Sequence, residues 1–253
     1  MIYVVTGTSR GIGLELVRQV VARGDHVVAT ARKPDESTEL QELAKAHKDA
    51  IKIVQMDVQD ADSIKAAAKA IEEYHPNGVD VLINDAGINS PFQRACEQSV
   101  QDVINVHRVN VLGPLMVTQA MLPLIRKGKR KLIVNTSSGD GSIKILSDMG
   151  LNDEKQRKED PHGRSLLPYK MAKTSLNMMT MTFAIDLKDE GITVICYCPG
   201  WVRTDMGMHA ASEESQPEQS PEESVKKQLK LFDGMTLEGS GWYYQHTGEK
   251  LPY

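Results

Sequence analysis

Residues 2–13 read Ile2-Tyr3-Val4-Val5-Thr6-Gly7-Thr8-Ser9-Arg10-Gly11-Ile12-Gly13, and an amphipathic stretch, 14–22, follows directly. A β-type apolar run that breaks into a glycine-rich turn and then a helix is the opening of a dinucleotide-binding βα unit. Glycines suit such a turn because the chain must reverse sharply. A pyrophosphate must also approach the helix N-terminus with no Cβ atoms in the way. Unpaired amide N–H groups and the helix dipole then favour the anion. The spacing Gly-x3-Gly-x-Gly differs from Gly-x-Gly-x-x-Gly, and the Gly-Lys-Ser/Thr ending of a P-loop is absent. This reading gives Gly7, Ser9, Gly11, Ile12 and Gly13 to cofactor binding. The rival reading is a tight turn with no ligand.

Outward from this unit the pattern repeats. Val/Ile-rich runs recur at 26–31, 51–56, 79–84, 131–135 and 192–197, with a last one at 242–244. They are short and do not alternate cleanly, as strands buried on both faces of a parallel sheet read. Helical patterns lie between them at 60–74, 98–127, 170–189 and 223–232. The order predicts one α/β domain over 1–253. Its expected core is a Rossmann-type, doubly wound, mostly parallel seven-stranded sheet with helices on both faces. Two segments break the rhythm. Residues 152–164 hold four acids and four bases, and 205–223 holds six acids with no Lys or Arg. Both read as loops.

Composition excludes several functions. The chain has 253 residues, 40% hydrophobic and 25% charged, with 30 basic against 34 acidic side chains for a net charge of −4. A mildly acidic chain has no global field to hold nucleic acid. No uninterrupted apolar run approaches the roughly 20 residues that span a bilayer. The N-terminus has no basic region ahead of an apolar stretch. Three cysteines are too few for a disulfide framework. The seven histidines show no ligand spacing, so no metal site is expected. A cytoplasmic protein is the expectation.

The end of the second strand bears on the cofactor. An NAD site normally places an acid there to accept from the ribose hydroxyl. Here the sequence is Thr30-Ala31-Arg32-Lys33, with no carboxylate before Asp35. The basic pair Arg32-Lys33, with Arg10 from the glycine turn as a second contact, suits a 2′-phosphate; the rival reading is a solvated loop. NADP is read over NAD.

Tyr169 and Lys173 stand at i, i+4 and share one face of a helix. A phenol has a pKa of about 10 in water. A neighbouring ammonium lowers it and makes the pair a proton donor to a carbonyl oxygen.

Thr6-Gly7-x3-Gly11-Ile12-Gly13, Asn84-Asp85-Ala86-Gly87, Asn110, Ser138-x2-Gly141, Tyr169-x3-Lys173 and Pro199-Gly200 occur in order. As a set they resemble the short-chain dehydrogenase/reductase family over essentially the whole chain. Pro199-Gly200-Trp201-Val202-Arg203-Thr204-Asp205-Met206-Gly207 and the ending Gly248-Glu249-Lys250-Leu251-Pro252-Tyr253 resemble its C-factor and Sniffer-like carbonyl reductases. The resemblance implies that Ser138 binds the substrate carbonyl, Tyr169 is the proton donor, and Lys173 holds the nicotinamide ribose and depresses the Tyr169 pKa. Asn110 would support a water in a proton relay. Asp57 and Val58 would contact adenine; Asn84, Ala86 and Gly87 would line the adenosine side. Pro199, Gly200, Val202 and Thr204 would flank the nicotinamide. The implied activity is NADPH-dependent reduction of an aldehyde, ketone or dicarbonyl. Two alternatives stand beside it: an NADP-binding regulator with little catalysis, and an alcohol dehydrogenase working in the oxidative direction.

Three departures from the family pattern stand out. Asp85 occupies the second Asn position of Asn-Asn-Ala-Gly. Cys198 precedes Pro199 where His or Asn is usual. Ser138 and Tyr169 lie 31 positions apart, much farther than in most members. The extra residues, about 151–165, stand beside the expected site and predict a monomer or homodimer rather than a tetramer; 205–223 corresponds to the substrate-binding loop. Cys196 and Cys198 alternate on one strand face and read as packing, as do Met178, Met179 and Met181 on the helix after Lys173.

Overall fold

The computed structural model describes residues 1–150, 166–209, 211 and 215–253. The segment 151–165, expected as an insertion, lies outside the described residues.

Seven strands form one sheet: β1 (Ile2–Thr6), β2 (His26–Ala31), β3 (Ile51–Gln55), β4 (Val81–Asn84), β5 (Leu132–Thr136), β6 (Thr193–Cys198) and β7 (Tyr243–Gln245). The order is β3-β2-β1-β4-β5-β6-β7, and every neighbouring pair is parallel. The helices are α1 (Gly11–Ala22), α2 (Thr38–Ala46), α3 (Ala61–Tyr74), α4 (Val100–His107), α5 (Gly113–Lys127), α6 (Ile143–Gly150), α7 (Leu167–Asp186), α8 (Asp205–His209) and α9 (Pro221–Gly234).

The period-2 alternation of β1 divides two cores. Tyr3 and Val5 face one side with Leu16 and Val20 of α1, Leu40 of α2 and Leu229 and Phe232 of α9. Val4 faces the other, with Ile64 and Ile71 of α3 and Val117, Met121 and Leu124 of α5. Both faces are covered, so the strands need no polar alternation. The order reverses between β1 and β4, the switch point where ligands bind beyond the carboxyl ends of the strands. Register brings those ends level: Thr6 opposite Thr30, Asn84 opposite Asn135, Thr136 opposite Tyr197.

Several sequence-based bounds shift for local reasons. The fourth strand begins at Val81, because the Val79 amide donates to Leu124 of α5. The fifth begins at Leu132, since Lys131 adopts φ +52 and belongs to the turn before it. The helix read over 98–127 starts at Val100, capped by Ser99, whose Oγ accepts from Asp102 N at 3.1 Å. It is interrupted by a π-helical turn, Arg108–Leu112. The third helix keeps its expected cap: Asp60 accepts from Asp62 N and Ser63 N, a contribution of about 1 kcal/mol.

The 205–223 segment is not loop throughout. It opens with α8, and α9 starts inside it at Pro221, behind a Ser220–Glu223 capping box. α2, α6 and α8 carried too short an apolar pattern to be read. Met178 does not pack in the core; it is 68% exposed. The stretch Val100–Lys127 is long and apolar enough to cross a membrane by length and composition alone, and half of its most apolar part is buried within the protein. Val117, Met121, Leu124 and Ile125 pack under the sheet, whereas Val100, Ile104 and Leu112 are exposed.

Candidate active site

The phosphate cradle comes first. Thr6 ends β1 with its Oγ1 accepting from Asp85 N and Ala86 N, both at 3.0 Å. This pins the glycine turn to the end of β4. Gly7 adopts φ +75, and a Cβ there would stand 2.7 Å from Ala86 Cα. A Cβ on Gly13 would stand 2.4 Å from Gly7 O. The turn therefore folds back on itself too closely for any side chain. Arg10 precedes α1 in extended conformation with no side-chain capping hydrogen bond, and the first turn carries no acid. The leading N–H groups of α1, with Ser9 and Ile12 beside them, are thus left for an anion.

The residues expected on the adenosine side lie at the ends of β2, β3 and β4. Arg32 follows β2, exposed, with no side-chain partner among the described residues. Lys33 is engaged by Glu36 at 2.9 Å. Arg10 Nε stands 3.4 Å from Asp205 Oδ2, both largely exposed. Asp57 Oδ1 accepts from Gln59 N at 3.0 Å, which shapes the turn after β3. Val58 packs against Gly113. The Asn84 Nδ2 donates to Thr118 and Asn135, while its buried Oδ1 has no partner among the described residues. That side chain braces the sheet and α5, and only Ala86 and Gly87 continue the rim.

Ser138, Tyr169 and Lys173 converge at the carboxyl ends of β5 and α7's first turns. The turn Gly139–Gly141 presses onto α7. A Cβ on Gly141 would stand 2.9 Å from Lys173 Cβ, and Gly141 O accepts from Thr174 Oγ1 at 3.1 Å and Asn177 Nδ2 at 3.2 Å. This close approach sets the Ser138 hydroxyl in hydrogen-bond reach of the Tyr169 phenol. Lys173 Nζ lies 5.3 Å from the Tyr169 ring centroid and donates to Thr136 O at 2.6 Å.

Electrostatics here are set by burial. Burial lowers Lys173 to about 8, with Asp85 pulling it back up. At pH 7 the side chain is therefore still mainly an ammonium. Burial, and then Asp140, push the Tyr169 phenol above its ordinary value; the Ser138 hydrogen bond pulls it down. The expected lowering of this phenol by Lys173 is thus outweighed by desolvation within the protein alone.

Asn110 sits in the π-helical turn, 1% exposed. Its Oδ1 accepts from Ile88 N and its Nδ2 donates to Ile88 O, both at 2.9 Å. Its carbonyl lacks the usual helical donor, because residue 114 is proline.

The far wall is a compact knot. Pro199 O accepts from Gln219 Nε2 at 2.9 Å and Ser224 Oγ at 2.7 Å, which fixes the Pro199–Gly200 turn, Gly200 at φ +79. Val202 bridges Gln219. Thr204 Oγ1 accepts from Gly207 N, and Trp201 Nε1 donates to Gly207 O. His209 packs against Phe92 with the rings tilted at 53° and their centroids 5.4 Å apart.

The model of the family described as short chain dehydrogenase matches residues 1–147 and 161–215. The chain belongs to the short-chain dehydrogenase family. An uncharacterized oxidoreductase of Schizosaccharomyces pombe is 35% identical over 265 residues, covering 100% of this chain and 98% of its own. The NADPH-bound carbonyl reductase from chicken fatty liver superposes with TM-score 0.86 at 31% identity, covering 99% and 98% of the two chains. The carbonyl reductase Sniffer of Drosophila melanogaster superposes with TM-score 0.86 at 26% identity over 100% and 98%. The resemblance to the Sniffer-like branch is borne out.

Within this short-chain dehydrogenase, some site residues escaped the sequence. Tyr243 Oη donates to Ser138 O at 2.5 Å, and Cys198 Sγ accepts from Gly139 N at 3.2 Å. Together they hold the backbone on both sides of Ser138 from the rear. Gln219 and Ser224 clamp Pro199 in the same way. No local motif marks such residues, because their partners are backbone atoms distant in sequence.

Proposed function

We propose that this short-chain dehydrogenase is an NADPH-dependent reductase of aldehydes, ketones or dicarbonyls. The observation that carries the reading is the convergence of Ser138, Tyr169 and Lys173 beside an uncapped, Cβ-free turn at the α1 N-terminus. Bound NADPH supplies the hydride. Gly7, Ser9, Gly11, Ile12 and Gly13 hold the pyrophosphate, and Arg32 with Arg10 holds the 2′-phosphate. Pro199, Gly200, Val202 and Thr204 support the nicotinamide end. Ser138 Oγ donates to the substrate oxygen and stabilises the negative charge that develops there. Tyr169 gives its phenolic proton to that oxygen. The Lys173 ammonium favours the phenolate left behind, against the burial that opposes it. The Asn110 carbonyl holds the water through which the proton is replaced.

NADPH consumption with a panel of aldehydes, ketones, quinones and α-dicarbonyls tests the reading. Turnover with at least one class supports it; tight NADPH binding with no turnover moves the assignment to a nucleotide-binding regulator.

The cofactor preference carries its own prediction. Losing a charge-assisted contact costs about 1.5–3 kcal/mol, or about 10–100-fold in affinity. Arg32→Ala is therefore expected to raise the NADPH Kd by that factor and leave the NADH Kd nearly unchanged, as read by fluorescence titration. Equal losses for both nucleotides sink the assignment.

The assembly we propose is a monomer or homodimer. Met171, Met178 and Ile185 are exposed along α7, and the inserted 151–165 sequence enters immediately before that helix. Multi-angle light scattering is expected to return a mass below that of four chains; a tetramer removes the idea.

A further inference from the structure

The carboxylate of Asp85 lies behind the reacting groups and is engaged by none of the steps above. Its Oδ1 accepts from Thr136 Oγ1 at 2.9 Å. Its Oδ2 faces the first turn of α1, 3.1 Å from where a Cβ on Gly13 would stand. Thr136 is shared, because its own carbonyl accepts from Lys173 Nζ. One residue of β5 thus anchors a carboxylate with its hydroxyl and an ammonium with its carbonyl. An amide at position 85 would keep the Thr136 hydrogen bond and lose only the charge.

We propose that Asp85 is a positioning residue: its carboxylate, fixed by Thr136 against the α1 N-terminus, keeps Lys173 charged and attenuates the pull of that terminus on the cofactor pyrophosphate. The charged groups around it fit this assignment. Facing Lys173 are Asp85 from the end of β4 and the thiols of Cys196 and Cys198 from β6. Both thiols are pushed up by burial, so neither supplies negative charge near neutrality. Asp85 therefore carries the anion that acts on Lys173. Facing Asp85 are Lys173 and the Tyr169 phenol from α7, the Tyr197 hydroxyl from β6, which donates to Gln228 Oε1 at 2.8 Å, and an α1 first turn without acids. Burial raises the Asp85 carboxyl to about 6, with Thr136 and Lys173 opposing the rise. Burial thus works against the charge on both partners, and each opposes that shift in the other. The assignment rests on the reductase reading for its catalytic consequence, whereas the effect on Lys173 itself does not.

The test therefore reads Lys173 directly. Titration of protein labelled with 13C at lysine Cε, with the Lys173 signal assigned through Lys173→Met, follows the ammonium by NMR. Asp85→Asn is expected to lower its midpoint by about one pH unit, with thermal stability little changed. Thr136→Val, which removes the hydroxyl anchor and keeps the carbonyl, is expected to move it in the same direction. In turnover, the alkaline limb of the kcat profile of Asp85→Asn should fall at correspondingly lower pH. NADPH and NADH should both bind severalfold more tightly. A Lys173 midpoint that stays in place in both folded variants overturns the proposal, whatever the activity. A moved midpoint in a protein that reduces no carbonyl sustains it and removes the reductase reading instead.

Discussion

Tyr169→Phe is expected to cut kcat for carbonyl reduction by about 10²–10⁴-fold, the usual contribution of a positioned acid. The phenol is the group that meets Ser138, and phenylalanine keeps the ring that packs 5.3 Å from Lys173 Nζ. Lys173 also keeps its bond to Thr136 O. The fold and the nucleotide site should therefore survive. NADPH affinity measured by fluorescence titration should change less than twofold, since the lost phenol hydroxyl bonds Ser138 and not the nucleotide. A loss confined to kcat places the proton on Tyr169. A variant that retains a large part of its turnover, or that loses NADPH binding in parallel, contradicts that role.

Gly13→Ala is expected to be equally damaging by a different route. Its Cβ would stand 2.4 Å from Gly7 O and 3.1 Å from Asp85 Oδ2. Both obstacles are fixed: Gly7 by its own contact with Ala86, Asp85 by the hydrogen bond from Thr136. The turn must open to admit the methyl, at a cost of about 1–3 kcal/mol in stability. In a domain of this size that lowers Tm by on the order of 5 °C. The same movement misaligns the α1 N–H groups, so NADPH affinity should fall by about two orders of magnitude or more. A calorimetric scan and a nucleotide titration on one preparation read both effects. An unchanged affinity in a folded variant would mean that the turn does not hold the phosphates.

These two residues also mark what the sequence disclosed and what it did not. The glycine turn was legible because its chemistry is local: strand, tight turn and helix follow within a dozen residues. The sheet was legible for a related reason. Strands buried on both faces leave uninterrupted Val/Ile runs, and β1 and β2 have the expected bounds. Elements whose bounds depend on distant partners were not. Val79 leaves its strand for the Leu124 carbonyl, and α8 forms from 205–223, a segment composed like a loop. The same divide runs through the site. Tyr169 and Lys173 announce themselves by helical spacing. Tyr243 behind Ser138, Gln219 behind Pro199 and the Thr136 link from Asp85 to Lys173 join residues 20 to 105 positions apart. Composition carries no trace of them. The π-helical turn that holds Asn110 interrupts the helix read as continuous over 98–127, and the Asn110 side chain there braces Ile88.

The most direct test of the central claim is isotopic. NADPH deuterated at C4, prepared separately on each face, is incubated with the enzyme and the best carbonyl of the panel, and the product is read by mass spectrometry and NMR. The account predicts deuterium on the carbinol carbon from one face only, and no labelled alcohol when Tyr169→Phe replaces the enzyme. Unlabelled product, or NADPH that binds and stays unoxidised with every carbonyl, would contradict it.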